Sequence, residues 1–229
     1  MSVRGFRRIQ REIASCERCP RLREYGAEVA AKRKRMYADQ EYWGRPVPTF
    51  GDPRARMLIL GLAPAAHGAH RTGRMFTGDS SGDWLYEALH RFGFANQPTS
   101  VAADDGLELT DCVVSATAHC APPQNKPSRE ELDTCRSWLH AEVEELSPAL
   151  VLVLGRIAFD AWLKLLAERG VAVPRPRPGF AHEGWVEIDG SPPILQSYHP
   201  SRQNTNTGRL TRQMWHAVFR RARRTLDAL

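Results

Sequence analysis

Ala149-Leu150-Val151-Leu152-Val153-Leu154-Gly155 decides the architecture. The run is apolar throughout and ends in glycine, with no alternation between a wet and a dry face. Such a stretch suits a strand buried on both sides, as in a parallel sheet covered by helices. Arg56-Met57-Leu58-Ile59-Leu60-Gly61 repeats the pattern. Thr110 to Thr117 reads as a third buried strand, and Pro193 to Tyr198 as a short final one. Helical periodicity fills the intervals. Ser80 to Phe92 sets Leu85, Ala88, Leu89 and Phe92 on one face, with Gly93 as the stop. Ser128-Arg129-Glu130-Glu131 is a capping box, and it opens a helix whose stripe is Leu132, Cys135, Leu139, Val143 and Leu146. A further helix follows Gly155 to about Gly170. Arg209 to Leu226 reads as a helix with Leu210, Met214, Ala217 and Val218 inward and its arginines mostly outward. Buried strands alternating with helices predict an α/β domain with a largely parallel sheet.

The chain has 229 residues, and 32 Lys+Arg against 26 Asp+Glu give a formal charge of +6. That length predicts a single domain over 1–229, because the Pro/Gly-rich stretches at 44–53, 121–127 and 174–184 are too short to divide it. The 42% hydrophobic content excludes a disordered or fibrous chain. No run is apolar for the 18 or so residues a membrane span needs, so no membrane partner is expected. The N-terminus, Met1-Ser2-Val3-Arg4-Gly5-Phe6-Arg7-Arg8, lacks an apolar signal core, which predicts a cytoplasmic, nucleoid-associated protein. The basic balance admits an anionic partner such as nucleic acid. A monomer is the default expectation. Lys32-Arg33-Lys34-Arg35 reads as a solvated face.

Five cysteines are an odd number for a disulfide framework in such a compartment. Cys16 and Cys19 form a CxxC, with Cys120 and Cys135 far downstream. Four thiolates suit a tetrahedral Zn²⁺ or an iron–sulfur cluster, and spacing leaves both open. Cys112, inside an apolar strand, reads as a core thiol.

In an open α/β sheet, ligands bind beyond the carboxyl ends of the strands. That rule brings together the loops after Gly61, Thr117, Gly155 and Tyr198. The first, Leu62-Ala63-Pro64-Ala65, is made of small residues whose backbone N–H groups can approach an anion or a water. It leads into Gly73-Arg74-Met75-Phe76-Thr77-Gly78-Asp79-Ser80, an aromatic and a carboxylate just before a helix. Asp79 and Ser80 also suit a plain helix cap, a role that fits Ser80 better. Phe76 between glycines suits stacking on a base. The last loop, His199-Pro200-Ser201-Arg202-Gln203-Asn204, places an imidazole at a strand end before a polar segment that suits phosphate contacts.

These motifs, with Cys120-Ala121-Pro122-Pro123-Gln124-Asn125-Lys126-Pro127, resemble the family 5 (type B) uracil-DNA glycosylases. The resemblance runs from Cys16 to about Met214. It implies a four-stranded parallel sheet flanked by helices, with a [4Fe-4S] cluster on Cys16, Cys19, Cys120 and Cys135. It also implies monofunctional excision of uracil, hypoxanthine, ethenocytosine and hydroxymethyluracil from DNA. Other branches of the superfamily carry a water-activating polar side chain in the first motif and an Asn on the uracil edge. Here Leu62-Ala63-Pro64-Ala65 is apolar and the Asn position is Ala116, so a broad pocket is expected.

On this reading His199, neutral, donates to the base O2 as charge develops there. Asp79 orients or activates the water, or stabilises the sugar cation, with the backbone of Ala63, Pro64 and Ala65 around the same water. Phe76 stacks on the everted base, and Asn125 contacts its edge or the water. Arg202, Gln203 and Asn204 fill or brace the gap, and Arg74, Lys126 and Arg209 contact phosphates. A cluster- or zinc-bearing DNA-binding module without catalysis is the competing reading.

Overall fold

Four runs of four or five buried residues form the centre of the molecule, because none of them has a polar face to present to water. The computed structural model describes residues 3–229; Met1 and Ser2, part of the basic N-terminus read above, lie outside them. In chain order the elements are α1 (Val3–Ala14), α2 (Pro20–Lys32), β1 (Phe50–Gly51), β2 (Met57–Gly61), α3 (Ala69–Thr72) and α4 (Ser80–Arg91). They continue with β3 (Cys112–Ala116), α5 (Arg129–Leu146), β4 (Leu150–Leu154) and α6 (Arg156–Glu168), then β5 (Trp185–Val186), β6 (Ile194–Ser197), α7 (Arg202–Asn206) and α8 (Arg212–Asp227).

The strand order is β1-β3-β2-β4-β6-β5. The inner four, β3-β2-β4-β6, run parallel, as expected, with Leu58 opposite Val113 and Val151, and Leu152 opposite Leu195. The sheet nevertheless has six strands and is mixed, which corrects the four-stranded expectation. Both additional strands are two residues long and antiparallel, one at each edge. Two residues carry no readable periodicity, and short edges are a common way for a sheet to end without inviting further pairing.

Alternate side chains of each strand enter opposite layers. Met57, Ile59, Val114, Leu152 and Leu195 face α4 and α8 through Leu85, Leu89, Trp215, Val218 and Phe219. Leu58, Leu60, Val113, Val151 and Ile194 face α5 and α6 through Leu139, Val143, Phe159, Trp162 and Leu166. The α1 helix closes the second layer, with Ile9 and Ile13 against Trp138 of α5. Cys112 is buried in the first layer, as read from the sequence. The capping box forms at α5, where Ser128 Oγ accepts from the Glu131 N–H and the Glu131 carboxylate from the Ser128 N–H. The last helix starts three residues later than expected, because Thr211 caps it through the Met214 N–H.

A polar cluster lies between α5 and the sheet. Glu142 of α5 is fully buried and accepts from Ser115 Oγ of β3 at 2.8 Å and from Thr49 Oγ1. Its Oε1 lies 3.6 Å from His119 Nε2, while His119 Nδ1 pairs with the Val47 carbonyl at 2.7 Å. Burial raises the Glu142 carboxyl to about 8 and lowers the His119 imidazole to about 4, so both are held neutral. No helix among the described residues is long and apolar enough to cross a membrane.

Candidate active site

The segments that follow β2, β4 and β6 meet around Phe76 and His199. The β2 strand ends at Gly61, and a Cβ there would come within 3.0 Å of the Phe76 ring edge, so glycine is what lets the ring lie on the strand end. Phe76 itself sits at φ +53, a backbone conformation unfavourable for a bulky side chain. Its carbonyl abuts Gly82 in the first turn of α4, where no side chain could fit. The ring is thereby turned toward His199, with centroids 5.7 Å apart and planes inclined at 32°.

His199 follows β6 and is partly buried. Gly155, at φ +98 after β4, passes beside its Cβ. The Asn204 side-chain amide donates to the His199 carbonyl at 2.8 Å and fixes the loop from below. Burial, with no compensating charge, drops the His199 imidazole to about 4, so the ring is neutral at physiological pH.

Asp79 caps α4. Its Oδ1 accepts from the N–H groups of Ser81 at 2.9 Å and Gly82 at 3.1 Å. The cap is therefore Asp79, not Ser80, and the reason is reach: Oδ1 spans two donors of the first turn. Ser80 instead accepts from Arg202 Nε at 3.1 Å, which ties the start of α4 to α7. Asp79 Oδ2 makes no hydrogen bond among the described residues. It lies against Gly68, where a Cβ would be 2.1 Å away. Burial raises the Asp79 carboxyl, opposed by its two backbone bonds and by Arg202. One carboxylate thus has a fixed oxygen and a free one.

Between these loops, the Ala63 and Ala65 N–H groups make no hydrogen bond within the described protein, and Pro64 has none to make. Leu62 anchors the segment by accepting from the Ala118 N–H and from Thr117 Oγ1. Arg71, which the sequence reading left without a role, locks the stretch together. Its guanidinium donates to the carbonyls of His67 and Gly78 and lies over the Tyr37 ring at 4.0 Å. The sequence signal was the glycine at 78, at φ +79, where a side chain would strike that guanidinium.

The other predicted residues divide. Arg74 is a correction: it is 4% exposed and donates to Asp105, Ser100 and Thr77, so its charge is spent inside the fold and does not face a phosphate. Its neighbours Asp105 and Ser100 come from a distant loop, which spacing does not reveal. Asn204 is occupied by His199, which makes it a brace rather than a wedge. Arg202, Gln203 and Arg209 are exposed beside the site, and Arg209 lies over Tyr198 at 4.7 Å. Asn125 and Lys126 are exposed at a 3-10 turn over Pro123–Asn125, where Gln124 and Asn125 both have positive φ. The Asn125 side chain makes no hydrogen bond among the described residues.

The four predicted cysteine ligands meet beside α5. Cys16 follows α1, Cys19 precedes α2, Cys120 follows β3, and Cys135 lies in α5; together they line one small cavity with Leu22, Pro46, Ala118 and Trp138. The His119 N–H points at Cys135 Sγ at 3.4 Å. Among the described residues no three His, Cys, Asp or Glu side chains close on a point as a single ion requires.

A parallel sheet with an imidazole and a free carboxylate oxygen at its carboxyl edge, and a four-thiol pocket at its flank, defines an α/β protein with a ligand site at the strand ends. Comparison with known proteins narrows this class. The pattern described as the Uracil DNA glycosylase superfamily matches residues 48–223. The type-5 uracil-DNA glycosylase of Mycobacterium tuberculosis is 49% identical over 214 residues, 93% of this chain and 78% of that one. That of Thermus thermophilus is 47% identical over 213 residues, 93% and 94% of the two chains. A type-4 uracil-DNA glycosylase of Pyrobaculum aerophilum is 26% identical over 200 residues, 86% and 83% of the two. The chain belongs to the uracil-DNA glycosylase superfamily, in its type-5 branch.

Proposed function

We propose that this protein hydrolyses the N-glycosidic bond of uracil in DNA, with His199 and Asp79 as its reacting groups. The observation that carries the reading is the meeting of a neutral imidazole and a half-free carboxylate around Phe76, in a chain nearly half identical to type-5 uracil-DNA glycosylases.

The target atom cannot be reached inside a duplex, so the nucleotide is everted. Phe76 stacks on the extruded base. The C1′–N1 bond then lengthens, its electron pair passes to the base, and negative charge collects on O2. The neutral His199 ring donates a hydrogen bond to that oxygen, where a preformed donor stabilises the transition state more than the ground state. Water attacks C1′ from the other side. Oδ2 of Asp79 and the N–H groups of Ala63 and Ala65 are free to hold that water, and its proton leaves to the carboxylate. The products are an abasic sugar and the free base.

The first motif supplies no polar side chain and Ala116 supplies no amide, so little in the pocket rewards a pyrimidine edge over another. This supports a wider substrate range of hypoxanthine, ethenocytosine and hydroxymethyluracil alongside uracil. The four thiols suit a [4Fe-4S] cluster: they line one cavity together, between Arg18, His119 and Thr134 and the apolar Leu22, Pro46, Ala118 and Trp138. Cys16, Cys19, Cys120 and Cys135 would hold it. Since the reaction is not a redox reaction, its part would be to bind α1, α2 and α5 to the loop after β3.

The test is release of free base by the purified protein from duplexes carrying uracil or each other lesion. Alkali-labile sites at uracil support the reading. DNA binding without any base release would leave only the non-catalytic alternative.

A further inference from the structure

We propose that the outer face of α8 is a track for the phosphates of the duplex flanking the everted nucleotide, carried by Arg220, Arg221 and Arg224. This rests on the function proposed above and extends it to a surface away from the reacting groups.

The α8 helix holds five arginines and one acidic residue. Two of the arginines are paired with carboxylates of the chain: Arg212 with Glu87, and Arg223 with Asp111 and Asp227. The other three are not. Arg220 and Arg224 are exposed and make no ion pair or hydrogen bond among the described residues. Arg221 donates only to the Glu183 carbonyl and lies over the Trp185 ring at 4.5 Å. The three line one open groove with Ala217 and Thr225, and the Glu183 side chain is the single acidic group at its rim. Like charges at positions i and i+4 of a helix, such as Arg220 and Arg224, disfavour the helix. A polyanion lying along the groove reverses the sign of that interaction.

The position of the groove identifies the polyanion. The α8 helix begins at the carboxyl edge, directly after the His199 loop, and runs down the sheet until Leu226 accepts from Arg56 at the start of β2. Arg209 lies over Tyr198, the residue before His199, and so continues the line of cations up to the catalytic loop. From Arg220 to Arg224 the helix rises about 6 Å at 1.5 Å per residue. That matches about two base-pair steps of duplex at 3.4 Å each. The line therefore fits DNA leaving the site on one side.

The test uses the full-length protein and the variants Arg220→Gln/Arg224→Gln and Arg220→Lys/Arg224→Lys. Affinity for a duplex holding one abasic-site analogue is measured across a range of KCl concentrations. Each lost phosphate contact lowers the slope of log K against log salt by about 0.9. The Gln pair is expected to flatten the slope by about 1.8 units and the Lys pair to leave it near wild type. Single-turnover uracil release at saturating DNA is expected to be unchanged in both. An unchanged slope in the Gln pair, with a wild-type protein that releases uracil, overturns the track and leaves the function standing. A wild-type protein that binds but releases nothing overturns the function instead.

Discussion

The ring of Phe76 and the imidazole of His199 face one another at 5.7 Å across the carboxyl edge of the sheet, though each comes from a different crossover of the fold. Phe76 is held there at an unfavourable positive φ by Gly61 below and Gly82 behind. Strain of this kind, of order 1–3 kcal/mol, persists only where the surroundings enforce it. The ring is thus built to a fixed position beside the imidazole.

Phe76→Ala removes the stacking face, while alanine keeps the cost of the positive φ. Stacking on one base is worth about 1–3 kcal/mol, so single-turnover uracil release should slow by about 5- to 150-fold. Stability that falls with no change in rate would make Phe76 a core residue.

Asp79 separates into two functions that one substitution can divide. Asn caps a helix about as well as Asp, so Asp79→Asn keeps the start of α4 and loses the charge beside the water. Asp79→Ala loses both, at a cost of about 0.5–2 kcal/mol for the cap. The expected outcome is a large fall in single-turnover rate for both variants, unchanged DNA affinity, and a lower melting temperature for Ala alone. A normal rate for Asp79→Asn would reduce Asp79 to its capping role.

Much of this was readable from residue order. The four apolar runs are buried because they have no wet face, and the loops converge because parallel strands end at one edge. The edge strands were not legible, since two residues carry no period. Arg74 was misread because a cation between glycines looks solvent-facing until Asp105 and Ser100 arrive from a loop about thirty residues on. Asn204 and Arg202 were located in the right loop, but their partners, the His199 carbonyl and Ser80 Oγ, depend on how α7 docks. Glu142 escaped notice because a glutamate in an amphipathic helix normally points to water.

That buried carboxyl makes stability depend on pH. With its folded value raised to about 8 against an ordinary 4.5, Glu142 keeps a proton that the unfolded chain has already released over that interval. Stability from this group is present in full below about 4.5 and declines as pH rises toward 8. Glu142→Gln carries a neutral side chain at every pH. The melting temperature of the variant relative to wild type should therefore climb between pH 5 and pH 8, each 1 kcal/mol appearing as roughly 2–4 °C. A constant difference across the range would mean that Glu142 is ionised in the folded protein.

Cys120→Ser tests whether the thiol centre is structural. The variant is expected to lose the brown colour and near-ultraviolet absorption of an iron–sulfur protein and to unfold at lower temperature. Whatever folded fraction remains should release uracil at close to the normal single-turnover rate. A colourless variant as stable as wild type would show that no cluster supports α1, α2 and α5.

The decisive measurement is single-turnover uracil release by His199→Ala compared with wild type, at saturating DNA and across pH 5.5 to 8. Loss of one preformed oxyanion donor predicts a fall of about 10²–10³-fold. Because the His199 ring titrates near 4, the wild-type profile should show no imidazole inflection between pH 6 and 7. An unchanged rate in the variant, or a wild-type rate that follows an imidazole of ordinary pKa and loses that dependence on substitution, would contradict a neutral His199 as the donor to the departing base.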